Sequence, residues 1–373
     1  VQGPHNPELP GPGRLIQTPG AFAFLTSLQD HLVAGRDIIG QKPLYFGQIG
    51  DNSVAFASMR SPLIAIGIPQ PEPVPPGKVI RASVRGYETI NDYSLKRPEE
   101  ESMGELDATH ALDELFREAV RRIVPRRSGI AFSGGLDSTL VAKVAKNEDL
   151  EPELISVGLK GQQELEHAEK TANRFGLHAN IRRLSSSEIL DSLHDVVGTI
   201  ETTDPVIVGI SVPIYFACQQ AREMGLSYIA AGQLSDELFG GYGKFEGIAL
   251  QVGIDNLGRE MFNSVIAASA KDFDPGDKLA VAAGLEFCCP FAYLPLVEYA
   301  LKLPASLRVK LANGKVIRKY VLRRLAARLS LPDSVVDRPK KAVQYSSGVQ
   351  KVLLKEAKRR GMSLGKMLES FTR

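Results

Sequence analysis

Ser133-Gly134-Gly135-Leu136-Asp137-Ser138 puts two glycines, two hydroxyls and a carboxylate into one short stretch. The apolar run Gly129-Ile130-Ala131-Phe132 precedes it, and a helical run from Thr139 to Ala145 follows. A strand that turns into a helix in this way gathers backbone N–H groups at the positive end of the helix dipole, where an anion binds. Glycine leaves room for a phosphate because no Cβ obstructs it. Ser133 and Ser138 add donors, and Asp137 offers a carboxylate to a phosphate-bound Mg²⁺. No lysine follows a second glycine in the Walker manner, which excludes a P-loop NTPase. Taken alone, the loop also fits an ordinary turn with Asp137 or Ser138 capping the helix.

A second stretch repeats the theme: Gly232-Gln233-Leu234-Ser235-Asp236-Glu237-Leu238-Phe239-Gly240-Gly241-Tyr242. It follows a strand-like run, Ser227 to Ala231, so a parallel sheet delivers both loops to the same edge. Asp236 is then placed to join Asp137 around one magnesium ion, with phosphate oxygens and water completing the shell. Ser235 also reads as a helix cap with Asp236 and Glu237 in the first turn, and the two readings are compatible.

Alternating elements supply the sheet. The pattern predicts strands over 154–158, 179–184 and 227–231. It predicts helices from Gln163 to Arg174, stopped by Gly176, from Ser187 to Ile200, capped by Ser185-Ser186-Ser187, and from Pro213 to Met224. Leu112, Leu115, Phe116, Ala119, Val120 and Ile123 make one apolar helical stripe in a helix starting near Asp107. This is an α/β pattern, a doubly wound parallel sheet with binding loops at the carboxyl ends of its strands. Before it, residues 1–95 carry short strand-like runs at 21–25, 31–34, 44–46, 54–57 and 79–84 and read as a small β-rich domain. Asn91 to Met103 reads as a linker. Residues 105–245 form the α/β core, and 246–373 read as mostly helical and basic.

With 373 residues, 43% of them hydrophobic and 24% charged, the chain can bury two cores. No apolar run approaches the roughly 20 residues that cross a bilayer, and the first residues lack the character of a signal peptide. Three cysteines, two of them adjacent, make neither a disulfide framework nor a zinc site, and a cytoplasmic location is expected. From Lys302 onward there are 19 Lys/Arg against 4 Asp/Glu, whereas the preceding residues hold 26 against 39. Such asymmetry suits nucleotide phosphates, RNA, or helix faces packed on the acidic part of the same molecule.

With both loops in view, the chain resembles the asparagine synthetase family and its relatives, the β-lactam synthetases. Gly35-Arg36-Asp37-Ile38-Ile39-Gly40-Gln41-Lys42-Pro43-Leu44-Tyr45 is similar to the family's Ala-Arg-Asp-x-x-Gly-x-Lys-Pro-Leu-Tyr. Phe56-Ala57-Ser58 and Val74-Pro75-Pro76-Gly77 resemble further landmarks of its glutaminase domain. Ile200-Glu201-Thr202 with Asp204, Asp277 to Pro290, Lys319-Tyr320-Val321-Leu322-Arg323 and Arg338-Pro339-Lys340 continue the resemblance. It implies an adenine nucleotide alpha hydrolase-like fold preceded by a remnant of an Ntn-hydrolase domain. The activity implied is that of an ATP-dependent ligase: a carboxylate attacks the α-phosphorus, pyrophosphate leaves, and an amine displaces AMP. By resemblance, Ser133, Gly134, Gly135, Asp137 and Ser138 hold pyrophosphate, assisted by Lys340. Asp137 and Asp236 hold Mg²⁺, Lys319 is the catalytic lysine, and Val157 and Gly232 meet adenine or ribose. Gln233, Gly209, Glu237 and Glu286 are assigned to the acceptor pocket.

Departures from the pattern are as specific. The chain starts at Val1 and has no cysteine before Cys218, so no glutaminase activity is expected and the amine is ammonia or another amine. Val206-Ile207-Val208-Gly209 replaces a Thr-Thr-x-Arg stretch, removing a bidentate partner for a carboxylate. Gln233 replaces a glutamate, and Cys288 and Tyr293 replace an arginine and an aspartate. The acid is therefore aspartate or another. Two other readings stay open: an adenylating enzyme acting on RNA through the basic C-terminal part, and a non-catalytic ATP-binding relative. A separate amidotransferase or a second copy of the chain are further candidate partners.

Overall fold

The computed structural model describes residues 12–372 apart from 29, 51, 52, 313 and 341. The chain divides into two compact units, 1–96 and 97–373. In the first, the described residues form β1 (Ala23–Leu28), β2 (His31–Arg36), β3 (Tyr45–Ile49), β4 (Ser53–Ala57), β5 (Glu72–Pro73), β6 (Lys78–Ser83) and β7 (Gly86–Asp92). They pair as two antiparallel sheets, β1-β2-β6-β7 and β4-β3-β5. Ala34, Phe46 and Ile80 of these strands are buried together with Leu44 and Val74, which flank β3 and β5. Asn91 and Asp92, expected in the linker, close β7 instead.

The Arg36-Asp37 pair of this unit organises a loop. Arg36 donates to the carbonyls of Gly40, Lys42 and Val74. Asp37 accepts from the backbone N–H groups of Phe22, Ile39, Gly40 and Gln41. Burial lifts the Asp37 carboxyl to about 6 against the pull of those donors and of Arg36.

The second unit is built on a five-stranded parallel sheet. Its strands are β8 (Gly129–Ala131), β9 (Glu153–Leu159), β10 (Ala179–Leu184), β11 (Tyr228–Ala230) and β12 (Glu286–Cys288), in the order β10-β9-β8-β11-β12. Order reverses beside β8, the strand from which the Gly-Gly loop emerges, and such switch points are where open α/β sheets bind ligands. The amphipathic helix spans Glu105–Ile123 and buries Leu112, Phe116, Ala119 and Val120. The expected helix Gln163–Arg174 and strand Ala179–Leu184 form with those bounds.

Other boundaries differ. The helix expected to start at Pro213 begins at Pro205, capped by Asp204 through the N–H groups of Val206 and Ile207, with Pro213 inside it. Packing overrides the β-branched run Val206-Ile207-Val208 that disfavours helix. The 187–200 helix is two, Ser186–Asp191 and Leu193–Ile200. The first carries a capping box between Ser185 and Glu188. Beyond residue 245 the chain is not helix alone: β12 and a hairpin, β13 (Val309–Ala312) and β14 (Lys315–Arg318), lie there.

The C-terminal basic residues largely meet acidic ones. Lys302 pairs with Glu101, Arg308 with Glu100, Arg324 with Glu105, and Arg328 with Asp113. Part of the charge split is thus an intramolecular match between the C-terminal segments and residues 100–113. Among the described residues, no helix is long and apolar enough to cross a membrane.

Candidate functional site

The first loop folds on its own hydroxyls. Ser138 Oγ accepts from Ser133 N–H at 3.2 Å, and Ser133 Oγ accepts from Gly135 N–H at 3.2 Å. Gly135 is the N-cap of the helix Leu136–Asn147 and supplies no side-chain cap, so neither Asp137 nor Ser138 is spent on capping. Gly134 adopts φ +67°, and a Cβ there would come within 2.9 Å of the Ala168 backbone and the His167 ring. Its carbonyl accepts from His167 Nε2 at 3.0 Å. Only glycine suits that turn against the helix Gln163–Arg174.

The second loop leaves β11 and enters the short helix Ser235–Phe239. The expected Ser235 cap does not form. Leu234 occupies the N-cap in a left-handed conformation, φ +72°, and the Ser235 hydroxyl donates instead to Asp137 Oδ1 at 2.7 Å. Asp236 stands beside it. Two glycines make this approach possible: a Cβ on Gly232 would sit 2.9 Å from the Asp137 Cβ. One on Gly241 would sit 1.8 Å from Asp236 Oδ1 and 2.3 Å from Lys319 Cε.

Lys319 closes the site from a third segment. It precedes the helix Tyr320–Arg328 with φ +57°, a conformation costly for a residue with a side chain and typical of over-determined functional positions. Its backbone N–H donates to Phe239 O at 3.1 Å. Its ammonium lies 2.6 Å from Asp137 Oδ1, 2.7 Å from Asp236 Oδ1 and 3.1 Å from Ser235 Oγ, with 3% of the side chain exposed. Lys340 Nζ contacts the other Asp236 oxygen and stands 4.0 Å from Asp137 Oδ2. Burial alone would raise the Asp236 carboxyl, but the two ammonium groups outweigh it and hold it well below the usual carboxylate range. Burial pulls Lys340 down, and Asp236 and Asp137 more than reverse this, leaving it above the ordinary ammonium range.

Three of these charges, Asp137, Lys319 and Lys340, border an open cleft that is also lined by Ser133, Gly135, Glu164, Arg323, Arg338 and Ser346. Arg338 Nη1 is buried there with no hydrogen-bond partner, a donor available to an anion. Arg323 donates to the carbonyls of Arg318, Val336 and Arg338 and so ties the 336–340 segment to the Lys319 turn. Arg323, Arg338 and Glu164 receive no role from the sequence, and Ser235 receives only that of a helix cap. Arg323 falls four residues after Lys319, and the family stretch Arg338-Pro339-Lys340 already held the second arginine.

The remaining sequence assignments separate. Val157 lies on β9, next to β8 in the sheet and partly exposed. Gly209 is buried, and the space its Cβ would take abuts Gln350 Oε1 at 3.0 Å and Gln344 Cβ at 3.2 Å. Gln233 is half-buried in the second loop. Glu237 is buried and accepts from the Tyr242 hydroxyl, while burial and the Asp236 charge push its carboxyl up. Asp272, in a π-helical turn, is also raised, to about 8, by burial and by the charges of Glu237 and Asp236. Glu286 is a correction. It is exposed at the amino end of β12, whereas both loops leave the carboxyl ends, so it does not join this site.

Oxygens of Asp137, Asp236 and Ser235 already converge on one cationic centre, the Lys319 ammonium. The donor set therefore fits a hard divalent cation such as Mg²⁺ with water and phosphate completing its shell. The cleft's arginines and lysines, together with the helix N-terminus at Gly135, fit a polyphosphate.

This basic cleft lies at the switch point of a parallel sheet, beside the paired aspartates and lysines. The chain belongs to the asparagine synthase family, whose model matches residues 111–253 and 250–365. It is 30% identical, over 92% of its length and 71% of the relative's, to a protein of Methanocaldococcus jannaschii named asparagine synthetase 1, glutamine-hydrolyzing. It is 28% identical, over 91% of its length and 63% of the relative's, to asparagine synthetase B, glutamine-hydrolyzing, of Escherichia coli. The chain thus spans about two thirds of the length of these relatives. Among solved structures, NMN synthetase of Francisella tularensis aligns over 73% of this chain and 94% of its own at 12% identity and TM-score 0.36, too weak a likeness to carry an argument.

Proposed function

We propose that the second unit binds ATP with Mg²⁺ and joins a carboxylic acid to ammonia, releasing AMP and pyrophosphate. The Asp137–Lys319–Asp236–Lys340 cluster, set beside the Gly-Gly loop, is the observation that carries this reading. Asp137 and Asp236 would hold the metal, which neutralises phosphate charge when bound. Ser133, Gly134, Gly135 and Ser138 would hold the departing pyrophosphate through backbone N–H groups and hydroxyls, with Lys340 and Arg338 beside it. Lys319 would donate to the α-phosphate oxygens as the acid's oxygen bonds to phosphorus and the bond to the β-phosphate breaks. Adenine and ribose would lie toward Val157 and Gly232. The amine then attacks the activated carbonyl and AMP leaves with the carboxylate oxygen.

Ammonia is the amine proposed. All three cysteines, Cys218, Cys288 and Cys289, are buried, and burial pushes the Cys218 thiol up to about 12, so none is offered as a nucleophile for glutamine. Gly209, with Gln344 and Gln350 beside it, and Gln233 put uncharged groups in the positions assigned to the acceptor. The acid proposed is aspartate or another.

The test is product analysis. The chain is incubated with Mg²⁺, ATP, labelled ammonia and a panel of acids beginning with aspartate. AMP, pyrophosphate and a labelled amide in equal amounts are expected with one member of the panel. ADP and phosphate, or ATP binding with no AMP for any acid, would contradict the proposal.

A further inference from the structure

We propose that the Lys319 ammonium is the resting occupant of the divalent-cation seat. Metal would then enter only as the ammonium leaves, and metal and nucleotide would bind as partners rather than independently. This rests on the reading above, in which Asp137 and Asp236 hold the metal of the nucleotide complex.

Three oxygens surround Lys319 Nζ: Asp137 Oδ1 at 2.6 Å, Asp236 Oδ1 at 2.7 Å and Ser235 Oγ at 3.1 Å. These are the atoms a hard cation would take, held slightly wider than the roughly 2.0–2.1 Å that Mg²⁺ demands. A buried ammonium and a divalent ion cannot share one point between the same two carboxylates, because their repulsion at contact is large at low dielectric. Nor is Lys319 a solvated side chain that visits the seat, since only 3% of it is exposed. Lys340 takes the second oxygen of Asp236, so that carboxylate is engaged on both sides.

Two lysines and two aspartates sum to zero charge. Metal alone would add two positive charges and expel an ammonium into a cleft that already holds Arg323 and Arg338. A triphosphate removes that obstacle, because its oxygens receive both the metal and the displaced lysine. The exit is the cleft itself, which Lys319 lines together with Ser133 and Gly135. Coupling of this kind is reciprocal: whatever metal does for nucleotide affinity, nucleotide does for metal affinity.

The experiment measures Mn²⁺ binding to the whole chain without nucleotide, by the electron spin resonance of free Mn²⁺, for the wild type and for Lys319→Met. Thermal melts confirm that both are folded. Lys319→Met, with similar length and no charge, is expected to bind Mn²⁺ at least about tenfold more tightly than the wild type. Equal or weaker binding by the folded variant overturns the proposal, whether or not nucleotide binds. Should Lys319→Met fail to fold, the wild type decides. Its Mn²⁺ affinity must rise at least about tenfold with a non-hydrolysable ATP analogue, and an unchanged affinity overturns the proposal. A failure of the ATP reading itself would show separately, as no heat from the analogue at any metal concentration.

Discussion

Lys319 Nζ lies 2.6 Å from Asp137 Oδ1 although 182 residues separate them in the chain. Asp137 leaves β8 on the Gly-Gly loop, and Lys319 comes from the turn after β14. The sheet holds the aspartate, and the helix Tyr320–Arg328, packed on the helix Glu105–Ile123, holds the lysine.

Removing Asp236 takes from Lys340 its nearest carboxylate and leaves Lys319 with Asp137 alone, so positive charge in the cluster is under-compensated. Asp236→Ala is expected to cost about 3 kcal/mol in stability and to abolish AMP formation. Urea unfolding read beside product assays checks both. Full stability in the variant would show that Asp236 is not held by the two lysines.

Gly241→Ala tests the geometry without touching a charge. A Cβ at this position would overlap Asp236 Oδ1 and Lys319 Cε, so the carboxylate and ammonium must move apart. Overpacking of this kind costs about 2 kcal/mol, while a site displaced by an ångström loses about a hundredfold in rate. Wild-type turnover in Gly241→Ala would mean that the Asp236–Lys319 contact is dispensable.

The cluster's contribution to stability has a defined pH window. Asp236 is depressed, so its contribution is present above its unfolded pKa and is lost as pH falls through the lower folded value. Lys340 is raised, so its contribution is present below its unfolded pKa and is lost only as pH rises through the higher folded value. The stability gap between wild type and Asp236→Asn should therefore be level from about pH 5 to about pH 10 and shrink below about pH 4. A gap that narrows between pH 6 and pH 8 would contradict the pairing.

Asp272 carries the opposite sign. Its carboxyl is raised to about 8, so the folded state binds a proton that the unfolded state has already released, and stability falls as pH climbs from about 4 to 8. Asp272→Asn removes that cost. Its melting temperature should exceed the wild type's by a margin that grows between pH 5 and pH 8. A constant margin would place the penalty elsewhere.

Much of this was legible in residue order. Gly176, with φ +61°, marks the end of the helix Gln163–Arg174, and the Ser185 cluster opens the next. The strand–loop–helix order around Ser133 to Ser138 is legible because an apolar run, two glycines and a helical run follow one another, whereas the choice between ligand and cap for Asp137 and Ser138 needs the fold. What escaped was set by packing. Pro205, not Pro213, starts its helix because Asp204 caps it, while Val206 to Val208 disguise the first turn as strand. The polar strand Gly86–Asp92 gives no strand signal because its alternation is weak, and its last two residues, Asn91 and Asp92, fall in the expected linker. The hairpin at Gly314 was overlooked although an Asn-Gly pair stands between two alternating runs. Within the site, Lys319 could be named but not placed. That its ammonium sits between both aspartates depends on a left-handed residue and on two glycines from other segments. Leu234 at φ +72° and the Ser235–Asp137 contact carry no local signal at all.

Exchange of labelled pyrophosphate into ATP, dependent on an added acid, is the most direct test of whether this cluster cuts ATP between its α and β phosphates. The expected result is exchange with the wild type and one acid, absent in Asp137→Ala and lowered at least about a hundredfold in Lys319→Ala. Exchange that persists in Asp137→Ala, or none with any acid while the folded chain binds the nucleotide, would contradict it.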